Sequence, residues 1–246
     1  MTTLHARLVA ALLLTNKADL ATLLTGYLRD GLEVEARDLA LEMIRGGASW
    51  SIVGFTGTAR PVYQGQGPCW LDQPTSTPRW VCVEGVTIPA LWTPRRARLF
   101  GCDVAAAALP TYEEARPGNE RPRQALTTAR RYAHDATTPE ALEDARVAAL
   151  SGTDEERATA AAAAWDAVSD AWEEVEWDDA YEEALPSMSA DAEAALDATA
   201  YAAHSSARDA AHLPAHIALR IPGIDAPLIE SLFLRWNLGE VPELTA

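Results

Sequence analysis

Twenty alanines lie among the 64 residues 137–200, and this density of small side chains most constrains what the chain can fold into. Alanine is the best helix former, and its short side chain lets helices approach closely. We therefore predict a mainly α fold, an Ala-rich helical bundle. The predicted helix 154–184 begins at a capping box of Thr153 and Glu156. It carries an apolar stripe on one face at 3-4-3 spacing, formed by Trp165, Val168, Trp172 and Val175.

The same segment holds the net charge of the chain. Residues 137–200 contain 18 Asp or Glu against two Arg, a balance of −16 that equals the charge of all 246 residues. Acid gathered on one segment makes a directional field that steers a basic partner. The predicted partner-binding residues lie roughly opposite the tryptophan stripe or follow it along the helix: Asp166, Asp170, Glu173, Glu174 and Asp178. The alternative is that these carboxylates only solvate an Ala-rich bundle.

Periodicity and turn residues predict the other elements. The predicted helices cover 4–46 (two or three helices), 94–113, 120–134, 138–151, 189–213 and 225–238. Between residues 50 and 91 the composition favours a small antiparallel β element of two to four strands, with runs at Trp50–Phe55, Arg79–Val83 and Val86–Leu91. We predict an N-terminal part, 1–92, with helices and the β element, and an acidic helical bundle over 93–246.

An arginine-rich loop (116–123) joins two of the predicted helices. Arg116 opens a Pro-Gly turn, and Asn119 or Glu120 is expected to cap the helix that follows. Arg121 and Arg123 lie in the first turn of that helix. Paired arginines beside a turn commonly clamp carboxylates or helix carbonyls of a neighbouring element, and contact with a ligand or partner is the alternative.

This region resembles an Ala-rich helical family of immunity proteins from bacterial polymorphic-toxin systems, which also occurs in phage genomes. The resemblance covers about residues 94–210. The matching positions are Cys102, Leu109, Pro110, Pro117, Gly118, Arg121, Pro122, Arg123, Ala125, Ala129 and Arg130. The chain departs from the family at Asn119 and Glu120, where members more often have two aspartates. The resemblance implies an all-α interaction protein that neutralises another protein, and it brings no catalytic residues.

Motifs for metal, phosphate or nucleophilic chemistry are missing from the sequence. His204, Arg208 and His212 share a helical face, and His216 follows four residues after His212, but Pro214 is expected to break the helix between them. There is no HExxH or CxxC, and the Gly65–Gly67 run leads to a proline rather than a helix. We therefore predict no catalytic residues, no metal and no cofactor.

Three further features bear on location and partners. Three cysteines, the absence of a secretory leader and an apolar run of only seven residues (Leu8–Leu14) predict a cytoplasmic protein with no membrane contact. A basic patch of five arginines is expected to dock onto the acidic helices within the fold: Arg95, Arg96, Arg98, Arg130 and Arg131. The charge of −16 disfavours direct nucleic-acid binding.

Together these observations predict a non-enzymatic, acidic binding protein that neutralises a basic protein. The target would be a toxin nuclease or a nucleic-acid-binding defence complex, as for an immunity protein or a phage anti-defence inhibitor that mimics nucleic acid. Two alternatives stay open at this point. One is a small-molecule or nucleotide-binding enzyme that uses the aromatic-rich β element, with Tyr63, Trp70, Trp80 and Trp92. The other is a phage structural or assembly protein, and self-association as a homodimer is also open.

Overall fold

The computed structural model describes residues 16–53, 63–64, 80–151 and 189–239. The chain is mainly helical and has a small antiparallel sheet, as the sequence predicts. It divides into two compact units, Met1–Phe100 with Asp225–Ala246 and Gly101–Ile224. The predicted acidic helix 154–184, with its tryptophan stripe, lies outside the described residues.

Three described helices belong to the first unit. Helix α1 spans Lys17–Arg29, and the side chain of Asn16 caps it by accepting the N–H of Ala18 at 3.1 Å. Helix α2 spans Glu33–Arg45 and ends where Gly46 and Gly47 follow. The last helix of the chain, α8, spans Ala226–Leu238, and the Asp225 carboxylate caps it through the N–H of Leu228.

The sheet of the first unit has four short antiparallel strands. They are β1 (Trp50–Val53), β2 (Tyr63–Gln64), β3 (Trp80–Val83) and β4 (Val86–Pro89), in the order β2-β1-β3-β4. Strands β3 and β4 form a hairpin in which Val83 pairs with Val86. Both turn residues, Glu84 and Gly85, have positive φ (46° and 83°), as a tight hairpin turn with the twist of the strands requires.

The core of the first unit joins α1, α2, α8 and one face of the sheet. Its buried members are Leu24, Ala36, Leu39, Ala40, Met43, Ala48, Val81, Val83, Ile88, Leu234 and Leu238. Three aromatic rings also pack together in this unit. The ring centroid of Trp92 lies 5.7 Å from that of Phe100 and 5.1 Å from that of Phe233. Trp92 is therefore part of the packing of this unit.

The boundary between the units differs from the sequence-based one. Helix α3 spans Pro94–Ala115, and the division falls within it, after Phe100 rather than after residue 92. Helix α8 belongs to the N-terminal unit because Leu234 and Leu238 fill its core and the N–H of Leu91 donates to the carbonyl of Asn237 at 2.9 Å. The apolar pattern of α8 marks it as buried but does not specify its partner.

The second unit consists of helices throughout its described part. Helix α4 spans Arg121–Ala133, α5 runs from residue 139 to at least 151, α6 spans Ala190–Ala202 and α7 spans Ala207–Ala218. The prediction of one helix over 189–213 is wrong. The helix stops at Ala203, and Ser206 starts a new one by accepting the N–H of Asp209 at 3.4 Å through its hydroxyl.

Small side chains fill the core of the second unit, as the alanine content predicts. One buried cluster contains Cys102, Ala105, Leu109, Ala125, Leu126, Ala129, Leu142, Ala149, Ala202 and Ala203. Helices α3 and α7 approach closely at Gly101 of α3, where an added Cβ would lie 1.7 Å from the carbonyl oxygen of Ala210 in α7. Only a glycine fits at this crossing.

Candidate partner-binding face and arginine-rich loop

The arginine-rich loop is a short, hydrogen-bonded link between α3 and α4. Helix α3 closes where the N–H of Arg116 donates to the carbonyl of Tyr112 at 2.8 Å, and the N–H of Asn119 donates to Arg116 at 3.2 Å. Gly118 has a φ of +89°, a conformation that L side chains rarely adopt. The Pro-Gly turn predicted from the sequence is therefore present.

Asn119 organises the start of α4. Its Nδ2 donates to the hydroxyl of the buried Tyr112 at 2.8 Å, and its Oδ1 accepts the N–H of Arg121 at 3.2 Å. Glu120 is exposed and forms no side-chain capping bond, although it occupies the N-cap position. Of the two candidate capping residues, Asn119 therefore provides the side-chain hydrogen bond at the start of α4.

Two arginines of α4 bind carboxylates of α3. Arg123 donates to both oxygens of Glu113, with Nε–Oε1 at 2.8 Å and Nη2–Oε2 at 2.7 Å. Arg130 donates to Asp103 at 2.9 Å, and this pair is less exposed, at 31% and 22%. The predicted clamp between loop and neighbouring helix is thus observed for Arg123, and Glu113 and Asp103 are neutralised within the fold.

Arginines of the predicted basic patch have partners other than those expected. Arg96 donates from Nη1 to the carbonyls of Trp236 at 2.8 Å and Gly239 at 3.2 Å, where it satisfies the C-terminal end of α8. Arg98 is 3% exposed. Arg130 binds Asp103, and Arg131 donates to the carbonyl of Ala136 at 3.2 Å. For Arg130, the observed partner lies outside residues 137–200, contrary to the expectation.

Helix α5 opens the acidic segment with an exposed face. One side of the helix carries Glu140 and the residues three, four and seven positions after it, which are Glu143, Asp144 and Val147. All four are exposed, and Val147 is 49% exposed although it is apolar. The five predicted partner-binding residues, Asp166 to Asp178, lie outside the described residues, so the described part of the acidic surface begins with this face of α5.

The charges on this face differ in their pairing. Arg146 binds Glu143 on the same helix (Nε–Oε2 2.9 Å), and this hydrogen bond lowers the pKa of Glu143. A hydrogen bond to its own backbone N–H, followed by one from Thr138, lowers the pKa of Glu140. Within the described part of the chain, neither Glu140 nor Asp144 forms an ion pair. The predicted partner-binding residues do not include these two, although the local charge balance could have identified them.

Helix α6 carries the other described carboxylates of the acidic segment. Asp197 is half-buried, and burial raises its pKa, as does the negative charge of Glu193 to a smaller extent. Arg220 acts in the opposite direction. Because it is less exposed than Glu140 or Asp144, Asp197 contributes less than they do to an acidic surface.

The histidines of the second unit lie differently from the prediction. His204 follows α6, and its Nδ1 accepts the N–H of Ser206 at 3.1 Å, with an Asp209 carboxylate oxygen 3.7 Å away. A Ser-His-Asp triad needs the opposite arrangement, in which Nδ1–H donates to the carboxylate. This trio therefore lacks the hydrogen bonds of a catalytic triad.

The expectation that Pro214 breaks the helix is wrong. Pro214 lies inside α7, buried, and the helix continues to Ala218. His212 and His216 are thereby held on one helix with their ring centroids 4.5 Å apart. In the described ranges, no group of three or more His, Cys, Asp or Glu side chains is placed to hold a metal ion.

The chain matches no protein-family model, no curated protein and no solved structure. Among the helices of the described ranges, none has both the length and the apolar character needed to cross a membrane.

Proposed function

We propose that the protein is a non-enzymatic binding protein that neutralises or inhibits a basic protein target. The observation that carries this proposal is the exposed face of α5, on which Glu140 and Asp144 form no ion pair with any described residue. The target class that fits best is a toxin nuclease or a nucleic-acid-binding defence complex, since their binding sites are built for phosphate charges.

The contrast with the neighbouring helices supports a role beyond solvation. Glu113 and Asp103 on α3 each bind an arginine of α4, so these two acids are neutralised within the fold. The acidic segment has only two arginines for its 18 acids, and one of them, Arg146, is already bound to Glu143. The charges of Glu140 and Asp144, which are exposed, are therefore directed at solvent or at a partner. Charge of one sign on one surface accelerates association with a partner of the other sign.

Val147 gives the face a second property that binding surfaces share. An apolar side chain next to carboxylates allows close contact once the charges have oriented the partner. On this basis, the partner would present arginine or lysine side chains around a small apolar surface. In this proposal, carboxylates of the acidic segment take the place of phosphates in the binding site of the partner.

A capture experiment with matched charge variants tests this proposal. The full-length protein is immobilised, exposed to lysate of its native host, and the bound proteins are identified by mass spectrometry. The test variant is Glu140→Gln with Asp144→Asn, and the control is Glu114→Gln with Asp135→Asn, which removes two exposed charges outside the acidic segment. A second variant neutralises Asp166, Asp170, Glu173, Glu174 and Asp178.

We expect wild type and control to capture the same basic protein, and both test variants to associate several-fold more slowly at low salt, with a weaker dependence on ionic strength. Duplex DNA should compete for the partner if the surface mimics nucleic acid. Equal capture by wild type and by the variants that lack the acidic charges would refute the proposal.

A further inference from the structure

We propose that His212 and His216 form a two-histidine chelate for a divalent transition-metal ion of the zinc type on α7. This inference rests on the geometry of one helix and is independent of the partner-binding function proposed above. It became visible only when the structure placed both residues on the same helix across Pro214.

The spacing of the two histidines suits a single metal ion. Residues four apart on a helix lie on one face, and two histidines at this spacing jointly bind zinc in the HExxH helix of metalloproteases. Zinc–nitrogen bonds of about 2.0–2.1 Å in a tetrahedral site place two ligand nitrogens about 3.3 Å apart. A centroid separation of 4.5 Å with the rings inclined by 61° brings ring atoms of the two imidazoles within this reach.

Helix α7 holds the pair in place. Its buried residues Ala211, Pro214, Ala215 and Ala218 form a continuous stripe, so the helix is anchored along the side adjacent to the histidines. His212 and His216 themselves are only half-buried and remain within reach of a dissolved ion. A ligand pair on an anchored helix loses little conformational freedom when it binds.

The local charges are compatible with a cation. His216 lies in the last turn of α7, where the helix dipole favours positive charge. Arg208 lies one turn before His212 and would oppose binding of a cation. Arg220, one turn after His216, faces the negative charge of Asp197. The positive charge of one of these two arginines is therefore offset.

The ligand chemistry selects the metal class. Neutral imidazole nitrogen suits Zn²⁺, Ni²⁺ and Cu²⁺, whereas Ca²⁺ and Mg²⁺ require oxygen ligands. The described ranges supply no group of three His, Cys, Asp or Glu ligands, so the proposed site is defined by the two imidazoles alone.

Titration of the full-length protein with zinc chloride tests the proposal. In calorimetry we expect one Zn²⁺ per chain, and a Kd at least about tenfold higher in His212→Gln and in His216→Gln, because loss of even an outer-shell partner costs 10–100-fold. His134→Gln is the control and should bind like wild type, and calcium chloride should produce no binding. Circular dichroism without metal checks that each variant is folded.

A second measurement on the wild type does not depend on any variant. In a nuclear magnetic resonance titration, the imidazole signals of His212 and His216 should shift together and saturate at one equivalent of Zn²⁺, while those of His134 stay in place. The proposal is overturned if these two signals do not move, or if both glutamine variants bind Zn²⁺ with the wild-type Kd.

Discussion

Among the described glycines, Gly101 is the one at which an added methyl group is expected to lower stability most, because it contacts the backbone of Ala210. A Cβ built on Gly101 would lie 1.7 Å from the carbonyl oxygen of Ala210, 2.8 Å from its carbonyl carbon and 3.2 Å from the Cα of Ala211. All three atoms belong to the backbone of α7. No side chain can rotate away, so Gly101→Ala can be accommodated only if α3 and α7 move apart.

The size of the effect follows from this geometry. A carbon–oxygen contact needs about 3.3 Å, so the Cβ and the Ala210 oxygen must separate by a further 1.6 Å or so. Overpacking of a core costs about 1–3 kcal/mol, and a backbone-to-backbone clash belongs at the upper end of that range. Alanine also stabilises a helix interior by about 1 kcal/mol relative to glycine. The net expectation is a loss of about 2 kcal/mol in the free energy of unfolding.

Gly26→Ala in α1 is the matched control. Nothing lies within 4 Å of a Cβ at Gly26, so the same substitution should stabilise the protein by about 0.5–1 kcal/mol through the reduced backbone entropy of the unfolded chain. Urea unfolding followed by circular dichroism compares both variants with wild type. The reasoning is refuted if Gly101→Ala unfolds at the same urea concentration as Gly26→Ala or at a higher one.

Four further substitutions test individual side chains by urea unfolding. Arg130→Met should lower the free energy of unfolding by about 1–2 kcal/mol, because the ion pair of Arg130 with Asp103 is partly buried. Arg123→Met should lower it by less than about 1 kcal/mol, because Arg123 is 62% exposed. Equal losses in the two variants would contradict this reasoning. Asn237→Leu should be neutral or stabilising by about 1 kcal/mol, since the buried Oδ1 of Asn237 has no hydrogen-bond partner in the structure; a clear loss would show that this oxygen is satisfied. Asp197→Asn should stabilise the protein at pH 7, because a pKa that is raised in the folded state means that the ionised carboxylate opposes folding. This gain in stability should vanish as the pH falls below about 4, where the carboxyl group is protonated in both states. A gain that persists at pH 3 would contradict the raised pKa of Asp197.

Local pattern was sufficient to predict most helices and strands of the described chain. The hairpin at Glu84 and Gly85 was predicted from a dipeptide between two β-favouring runs. Helix α4 was predicted one residue from its observed start because a proline near its N-terminus is a strong positional signal. These elements depend on residues close in sequence, which is the range over which periodicity and turn chemistry operate.

Contacts between distant residues could not be predicted in the same way. The pair of Arg123 with Glu113 spans ten residues and joins consecutive helices, so a clamp was a reasonable expectation. The bond from Arg96 to the carbonyl of Trp236 spans 140 residues. Nothing in the local sequence distinguishes an arginine that caps a distant helix from one that binds a neighbouring carboxylate. The bond of Arg96 to Trp236 was therefore not predicted, and Arg130 was assigned the wrong partner.

The rule that proline interrupts a helix gave a wrong prediction at Pro214, and with it a wrong expectation for the alignment of His212 and His216. A proline in a helix removes one N–H and leaves the carbonyl four residues earlier without its donor, and that residue is Ala210. The same carbonyl is the one that α3 approaches at Gly101, where a side chain is excluded. Close packing of Gly101, together with burial of the proline ring, offsets the lost bond, and the helix continues through His216. The helix is therefore maintained by its tertiary contacts, so Gly101→Ala should disturb the alignment of His212 with His216 as well as the stability of the fold. Zinc titration of that variant would show the coupling as a weaker affinity, and an unchanged Kd would mean that α7 keeps its shape without the support of α3.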